Sequence, residues 1–283
     1  MVNANDAVIA WQPTNWNGES ALVSTSHGWK AIVSLDRGRL MHFGPADRDV
    51  NLLLAPPARS NSNIPGGHRL WLGPQATWAK IWPPPKEWEL SGPESYTTGG
   101  GMLRMPMVDT GDGWPRLTRT YQWAGAQLVC GAEMRGGTRP AQFIQIFQMS
   151  GTTLVELTVQ PEFAAPHGYV LLPSGPVTQF TADFSPPPPV SLNGPNLTLR
   201  HQPGLVLKTG YRPQALTGRD GGFALRVSRG AQTGIVAGEP DRGFFTQVYL
   251  GGNEPFIELE QLSPLFSPGA SASFAIVLEG GRP

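Results

Sequence analysis

Glu258 and Glu260, in FIELEQLSP (residues 256–264), are two residues apart, a spacing that suits acid–base chemistry. Side chains alternate between the two faces of an extended strand, so both carboxylates are expected on one face. Like charges that are close together and partly buried raise the pKa of one carboxyl group toward the range of a general base. The alternative is a solvated outer face with two ordinary glutamates, and the pattern alone leaves both interpretations open.

A second group of reactive side chains lies in GGHRLW, residues 66–71. Its two glycines permit a close or strained backbone approach beside His68, which makes this histidine a candidate general acid. Arg69 is a candidate for binding a substrate, and on an extended backbone it points away from His68. His167 is the second candidate acid, because PEFAAPHGYV is predicted to be a loop, where catalytic groups are often displayed. A structural role is the alternative for each histidine.

The tryptophans are unevenly distributed, since all nine lie at or before Trp123. Several are expected to anchor a core. Trp71, Trp78, Trp82 and Trp88 lie in a proline-broken region that includes WPPPKEWE and does not have the pattern of a strand. Indole faces outside regular elements often stack on the apolar face of a sugar ring. Trp71, Trp82 and Trp88 are therefore candidate sugar contacts.

Lys208 lies between apolar residues and a glycine turn in LVLKTGYRP, residues 205–213. From there its ammonium group could reach a cleft and bind a hydroxyl or phosphate group of a substrate. The alternative is a surface lysine whose aliphatic stem covers apolar surface while its charge stays in water.

Charge and composition exclude several classes of protein. The 21 basic and 21 acidic side chains cancel, so we expect neither a nucleic-acid partner nor binding to an anionic membrane. The single cysteine, Cys130, excludes an internal disulfide and a multi-cysteine metal site. The N-terminal MVNANDAVIAWQP has no signal-peptide pattern, which predicts a cytoplasmic location, or a periplasmic one if a signal peptide has been removed.

Glycine and proline indicate the fold class. The chain has 35 glycines and 29 prolines, spread along its length, so it has almost no room for helices. The segments between them are rich in β-branched and aromatic residues, and several alternate with period two. The predicted strands are KAIVSL (30–35), RLTRTYQW (116–123), AQFIQIFQM (141–149), TTLVELTVQ (152–160), FALRVS (223–228), FFTQVYL (244–250), FIELEQL (256–262) and SFAIVLE (273–279). The pattern predicts one all-β domain over residues 1–283.

GGHRLWLGPQ, WPPPKEWE and the later FIELEQLSPLFSPGASASFAIVL resemble the galactose-mutarotase-like superfamily. More narrowly, they are similar to aldose 1-epimerase-like proteins with a GGHRLW-type motif. IVSLDRGRLMHFGPADRDVNLLL (32–54) is similar to the opening of such domains. The resemblance covers most of the chain and is specific at its two ends.

The resemblance implies a β-supersandwich of large antiparallel sheets with a small-molecule carbohydrate as ligand. It also implies catalysis without a cofactor, in which a carboxylate accepts the proton of the anomeric hydroxyl while a histidine protonates the ring oxygen. Glu258 or Glu260 would be the base, because ELEQLSP is similar to the Leu-Glu-x-Gln stretch of the epimerases. Gln261 and Arg69 would bind the sugar, and His68 or His167 would supply the acid.

Three hypotheses for function follow. The first is an aldose 1-epimerase-like isomerase that interconverts the anomers of an aldose or a sugar derivative. The second is a non-catalytic carbohydrate-binding module on the same scaffold. The third is another reaction on this fold, such as polysaccharide cleavage, for which 283 residues leave little chain to build an extended groove. A fold alone does not choose among them, because one scaffold supports many chemistries.

Overall fold

The computed structural model describes residues 9–56, 65–78, 84–89 and 91–282, and these residues are almost entirely β. The first eleven strands are β1 (Gln12–Trp16), β2 (Glu19–Ser26), β3 (Trp29–Ser34), β4 (Arg39–Pro45), β5 (His68–Gly73), β6 (Thr97–Gly99), β7 (Met102–Pro106), β8 (Arg116–Ala124), β9 (Gln127–Arg135), β10 (Gln142–Ser150) and β11 (Leu154–Thr158). The next eleven are β12 (Val170–Leu172), β13 (Val190–Asn193), β14 (Asn196–Arg200), β15 (Val206–Tyr211), β16 (Ala215–Asp220), β17 (Phe223–Thr233), β18 (Val236–Gly238), β19 (Thr246–Gly251), β20 (Phe256–Leu262), β21 (Leu265–Phe266) and β22 (Ala272–Gly281).

Helix is confined to short turns within the described residues. They comprise the α-helix α1 (Lys86–Glu89) and three 3₁₀ turns, Gln75–Thr77, Pro161–Phe163 and Pro240–Gly243. None of these helices has the length and apolar character needed to cross a membrane. The predicted all-β class is confirmed, and each of the eight predicted strands overlaps an observed one.

The described strands form four antiparallel sheets. Strands β1 to β4 form the first in sequence order. The second has six strands in the order β12-β15-β19-β20-β10-β5, and the third has ten in the order β13-β14-β11-β16-β17-β22-β9-β8-β7-β6. Strands β18 and β21 form the small fourth sheet.

The six-stranded and ten-stranded sheets pack face to face around the main core. Phe143 of β10 stacks on Phe274 of β22, with ring centroids 6.4 Å apart. Strand β8 alternates between buried and less buried residues, as a strand with one face toward a core should. In contrast, every residue of β20 is buried, so its second face is also covered. That second face carries the polar side chains of the candidate site.

In the four-stranded sheet, β4 buries a histidine. His42 is 5% exposed, and its Nε2 has no hydrogen-bond partner among the described residues. Burial and the nearby Lys30 lower the pKa of His42 to about 4, although Asp49 opposes the shift. The folded protein therefore keeps this ring neutral at pH values where the unfolded chain would protonate it.

We predict that His42 makes stability depend on pH between about 6.5 and 4. The unfolded chain binds more protons than the folded protein in this window, so the free energy of unfolding falls as the pH falls. The 2.5-unit gap between the ordinary value of 6.5 and a pKa of about 4 corresponds to about 3 kcal/mol. Urea unfolding of the wild type and of His42→Leu across this range measures the difference. The exposed His27, changed to Asn, is the control, and parallel curves for the wild type and His42→Leu would contradict the prediction.

Candidate active site

Two buried carboxylates form the centre of the candidate site. Glu258 and Glu260 lie on β20, two residues apart, and are 5% and 2% exposed. Their side chains share a face of the six-stranded sheet, because they are two residues apart on a strand. This face is the one that carries the cleft, since Glu260 lines it. The interpretation of this stretch as a solvated outer face is therefore wrong.

The register of the neighbouring strands brings two cationic side chains to the same face. Ile146 of β10 is opposite both Glu260 and Arg69 of β5. On the other side, Tyr249 of β19 is opposite both Glu258 and Lys208 of β15. Directly opposed residues of antiparallel strands point to the same face, so positions far apart in sequence meet here.

Each carboxylate has its own cation. Arg69 donates from Nη1 to Oε1 of Glu258 over 2.6 Å, and Gln148 donates from Nε2 to the same oxygen over 2.7 Å. Lys208 donates from Nζ to Oε2 of Glu260 over 2.9 Å. Such charge-assisted contacts fix both acids in defined positions.

The environment shifts the pKa values of this group. Burial raises the pKa of Glu258, and the charge of Glu260 adds to this effect, so that together they outweigh the opposing effect of Arg69. Burial would lower the pKa of Lys208, but the carboxylates of Glu260, Asp241 and Glu258 outweigh it and raise that pKa. Lys208 is therefore held as an ammonium ion beside the carboxylates of Glu258 and Glu260.

A cleft of about 400 Å³ opens over this face. The apolar residues that line it are Trp71, Pro74, Ala76, Ile144, Leu172, Pro173 and Leu262, and the polar ones are Gln75, Gln142, Lys208, Asp241, Gln247 and Glu260. The volume lies in the range of small-molecule sites, and a mainly apolar lining with a few placed polar groups is their usual composition.

Asp241 is a cleft residue that the sequence analysis missed. It lies in the 3₁₀ turn Pro240–Gly243, where Asp241 and Arg242 have φ values of 42° and 58°. Gln247 of β19 donates to Oδ2 of Asp241 and so holds this turn over the cleft. Left-handed backbone at two successive non-glycine residues is uncommon, and it concentrates at functional sites. No sequence pattern marked this turn.

Glu89 is the second residue that the sequence analysis missed. This last residue of α1 is 6% exposed and accepts hydrogen bonds from Nε of Arg69 over 3.0 Å and from the indole of Trp71. Its other oxygen accepts from Nη1 of the fully buried Arg39 over 3.2 Å. Burial would raise the pKa of Glu89, but Arg69 and Arg39 outweigh it and lower that pKa. Glu89 thus fixes Arg69 in the orientation that meets Glu258.

His68 does not face the cleft. As the neighbour of Arg69 on β5, it points toward the main core, stacks on Phe147 with centroids 4.4 Å apart and contacts the hydroxyl of Tyr121 over 3.1 Å. It is fully buried, and burial together with Arg119 lowers its pKa well below the ordinary range. The structure contradicts the placement of His68 beside the glutamates.

His167 and Gln261 are also outside the cleft. His167 packs on Tyr169 and contacts the backbone carbonyl of Phe184 from Nε2 over 2.8 Å. Gln261, one residue after Glu260, points to the opposite face, where its Oε1 accepts a hydrogen bond from Thr246. Neither position supports the predicted role in acid catalysis or in sugar binding.

The candidate tryptophans separate into different environments. Trp71 lines the cleft, and it lies on β5 and not in a loop. The guanidinium carbon of Arg69 lies over its ring, 4.4 Å from the ring centroid. Trp88 is 1% exposed and packs edge-on against Trp78 and Trp114, so it belongs to the core. Trp82 lies outside the described residues.

The described residues contain no group of three or more histidine, cysteine, aspartate or glutamate side chains placed to hold a metal ion. The carboxylates of Glu258 and Glu260 can accept protons and hydrogen bonds from hydroxyl groups.

Three solved structures share this architecture over nearly the whole chain. A galactose mutarotase-like protein from Lactobacillus casei ATCC 334 superposes with a TM-score of 0.60 and 12% identity, covering 92% of this chain and 100% of that protein. A candidate aldose 1-epimerase from Escherichia coli K12 gives 0.59 and 10%, with coverages of 94% and 100%. The galactose 1-epimerase from Lactobacillus acidophilus NCFM gives 0.54 and 10%, with coverages of 97% and 99%.

These similarities show that the chain has the galactose-mutarotase-like fold, as the resemblance implied. No family model matches the chain, and no curated protein does.

We predict that Glu89→Ala destabilises the protein by about 3 to 5 kcal/mol, because the change leaves Arg39 and Arg69 buried without their shared carboxylate. Denaturant unfolding measures the loss. The control is Glu133→Ala, which removes a half-exposed ion pair with Arg104 and is expected to cost less than about 1 kcal/mol. Equal losses in the two variants would contradict the assigned role of Glu89.

Proposed function

We propose, taking the galactose-mutarotase-like fold as the premise, that this protein interconverts the anomers of an aldose by general acid–base catalysis. The observation that carries the proposal is the pair of buried carboxylates, Glu258 and Glu260, held by Arg69 and Lys208 on one face of the six-stranded sheet, where Glu260 and Lys208 line the cleft. Anomer exchange needs a proton acceptor for the anomeric hydroxyl and a proton donor for the ring oxygen, and it needs no other reagent.

Glu260 is the better candidate for the base. It lines the cleft, where its carboxylate contacts Lys208. Glu258, by contrast, already has Oε1 occupied by both Arg69 and Gln148. In the proposed reaction, Glu260 takes the proton of the anomeric hydroxyl, the bond to the ring oxygen breaks, and ring closure after rotation gives the other anomer.

The side chains that line the cleft bind and orient the sugar. Lys208 offers N–H donors to the hydroxyl groups of an aldose, and Gln148 and Arg69 restrict Glu258 to one position on the same face of the sheet. Trp71 offers an indole ring at the cleft wall for the apolar face of the pyranose. Asp241 and Gln247 add polar contacts from the opposite rim.

The structural neighbours support the choice of substrate class. The Lactobacillus acidophilus protein is named a galactose 1-epimerase, and the Lactobacillus casei protein is described as galactose mutarotase-like. We extend to this chain only the class that these names share, which is an aldose. The cleft of about 400 Å³ suits a monosaccharide better than an extended polymer.

We predict that the protein accelerates anomer exchange of at least one aldose and that Glu260→Gln lowers the rate by about 100- to 10,000-fold. The substitution keeps the shape of the side chain but removes its ability to accept a proton. Exchange NMR over a panel of aldoses measures the rate above the spontaneous background.

Glu279→Gln is the matched control, because Glu279 is exposed on the ten-stranded sheet and should leave the rate unchanged. No acceleration with any aldose would overturn the enzymatic proposal. Quenching of tryptophan fluorescence by a sugar that is not turned over would instead support the alternative, a non-catalytic carbohydrate-binding module.

We predict that the acid limb of the pH profile of kcat/KM has its midpoint above the ordinary glutamate pKa of about 4.3. Burial and the charge of Glu260 raise the pKa of Glu258, so this carboxyl group takes up its proton at a higher pH than an isolated glutamate, and its contact with Arg69 weakens when it does. Glu258→Gln removes this titrating group from the site. The limb that it contributes should then disappear, and an unchanged limb would contradict the assignment of the limb to Glu258.

A further inference from the structure

We propose that Lys208 is the proton donor to the ring oxygen, a role that rests on the proposed function. Its Nζ lies 2.9 Å from Oε2 of Glu260, and both side chains line the cleft. The two oxygens that change protonation in anomer exchange are bonded to the same carbon. The acid and the base must therefore converge, and a lysine in contact with the glutamate meets that requirement.

None of the five histidines, all of which lie in the described residues, is placed to donate this proton. His68 and His167 are outside the cleft, as described above. His201 contacts the backbone carbonyl of Gly252 from Nε2 over 2.9 Å. His27 and His42 lie in the region of the four-stranded sheet, His27 in its β2–β3 turn and His42 on β4.

Of the two cations that the described residues place against Glu258 and Glu260, only Lys208 can act as a proton donor. The guanidinium of Arg69 remains charged throughout, so it orients and neutralises but does not donate a proton. Lys208 is kept protonated by Glu260, Asp241 and Glu258, and an ammonium ion is an acid and not a nucleophile. Its side chain is 21% exposed, which allows it to reach a ligand in the cleft.

The proton balance closes over one reaction cycle. Glu260 accepts the proton of the anomeric hydroxyl, the carbonyl double bond forms, and the bond between the anomeric carbon and the ring oxygen breaks as Lys208 protonates that oxygen. After rotation, neutral Lys208 takes the proton back from the hydroxyl while the hydroxyl oxygen attacks the carbonyl carbon. The carbonyl oxygen receives the proton held by Glu260, so both residues return to their starting states.

The decisive comparison is between Lys208→Arg and Lys208→Met, measured by anomer-exchange NMR with the aldose that the wild type turns over. Arginine keeps the positive charge beside Glu260 but does not release a proton. If Lys208 is the acid, both variants lose about 100-fold or more in kcat. If Lys208 only neutralises Glu260, Lys208→Arg retains most of the activity, and the proposal is overturned.

Chemical rescue of the exchange rate distinguishes a proton donor from a residue with only a structural role. In Lys208→Ala, added methylammonium should restore exchange in proportion to its concentration, whereas guanidinium at the same concentration should not. Equal rescue by both cations would overturn the assignment, as would no rescue by either. Near-ultraviolet circular dichroism confirms that each variant is folded. If the wild type has no exchange activity, the proposed function itself is wrong. If both the wild type and Lys208→Arg are active, only the assignment of Lys208 as the proton donor is wrong.

Discussion

The arrangement of the candidate site depends on one chain of buried charges. Arg39, Glu89, Arg69 and Glu258 contact one another in that order, and each is nearly excluded from water. A buried charge is stable only when its partner is correctly placed, so the four residues constrain one another. The short helix α1 places Glu89 between the two arginines.

Another buried charge, Arg119, joins the two large sheets of the sandwich. Arg119 of β8, which is fully buried, reaches across from the ten-stranded sheet and donates to the backbone carbonyls of His68 and Trp88. It therefore ties the edge strand β5 and the helix α1 to the opposite sheet. The edge strand β5, which carries Arg69 to Glu258, is thus held from both of its faces.

Two glutamates in this group have pKa values shifted in opposite directions, and the difference lies in their neighbours. Glu89 is surrounded by two arginines, which lower its pKa in spite of burial. Glu258 shares one arginine with Glu89 and faces the carboxylate of Glu260, so burial and repulsion raise its pKa. One site thus holds a carboxylate with a lowered pKa, which positions Arg69, beside a carboxylate with a raised pKa.

Periodicity and composition determined what local physics controls. The spread of glycine and proline excluded long helices, and alternation placed Glu258 and Glu260 on one face of β20. Alternation also places His68 opposite to Arg69, and Gln261 opposite to Glu260, because adjacent residues on a strand face opposite sides. The two members of each pair therefore cannot face one cleft, and it is His68 and Gln261 that point to the core.

Only the tertiary structure decided which distant residues meet. The register of β5, β10, β19 and β15 around β20 brings Arg69 and Lys208 to the two glutamates, across separations of up to 189 residues. No local pattern encodes such a register, because it is set by side-chain packing between whole sheets. Asp241 and Glu89 were missed for the same reason, since each lies in a short turn or helix whose position depends on what it packs against. The sequence alone therefore determined the strands and the types of charge, and the packing of the sheets determined which charges form a site.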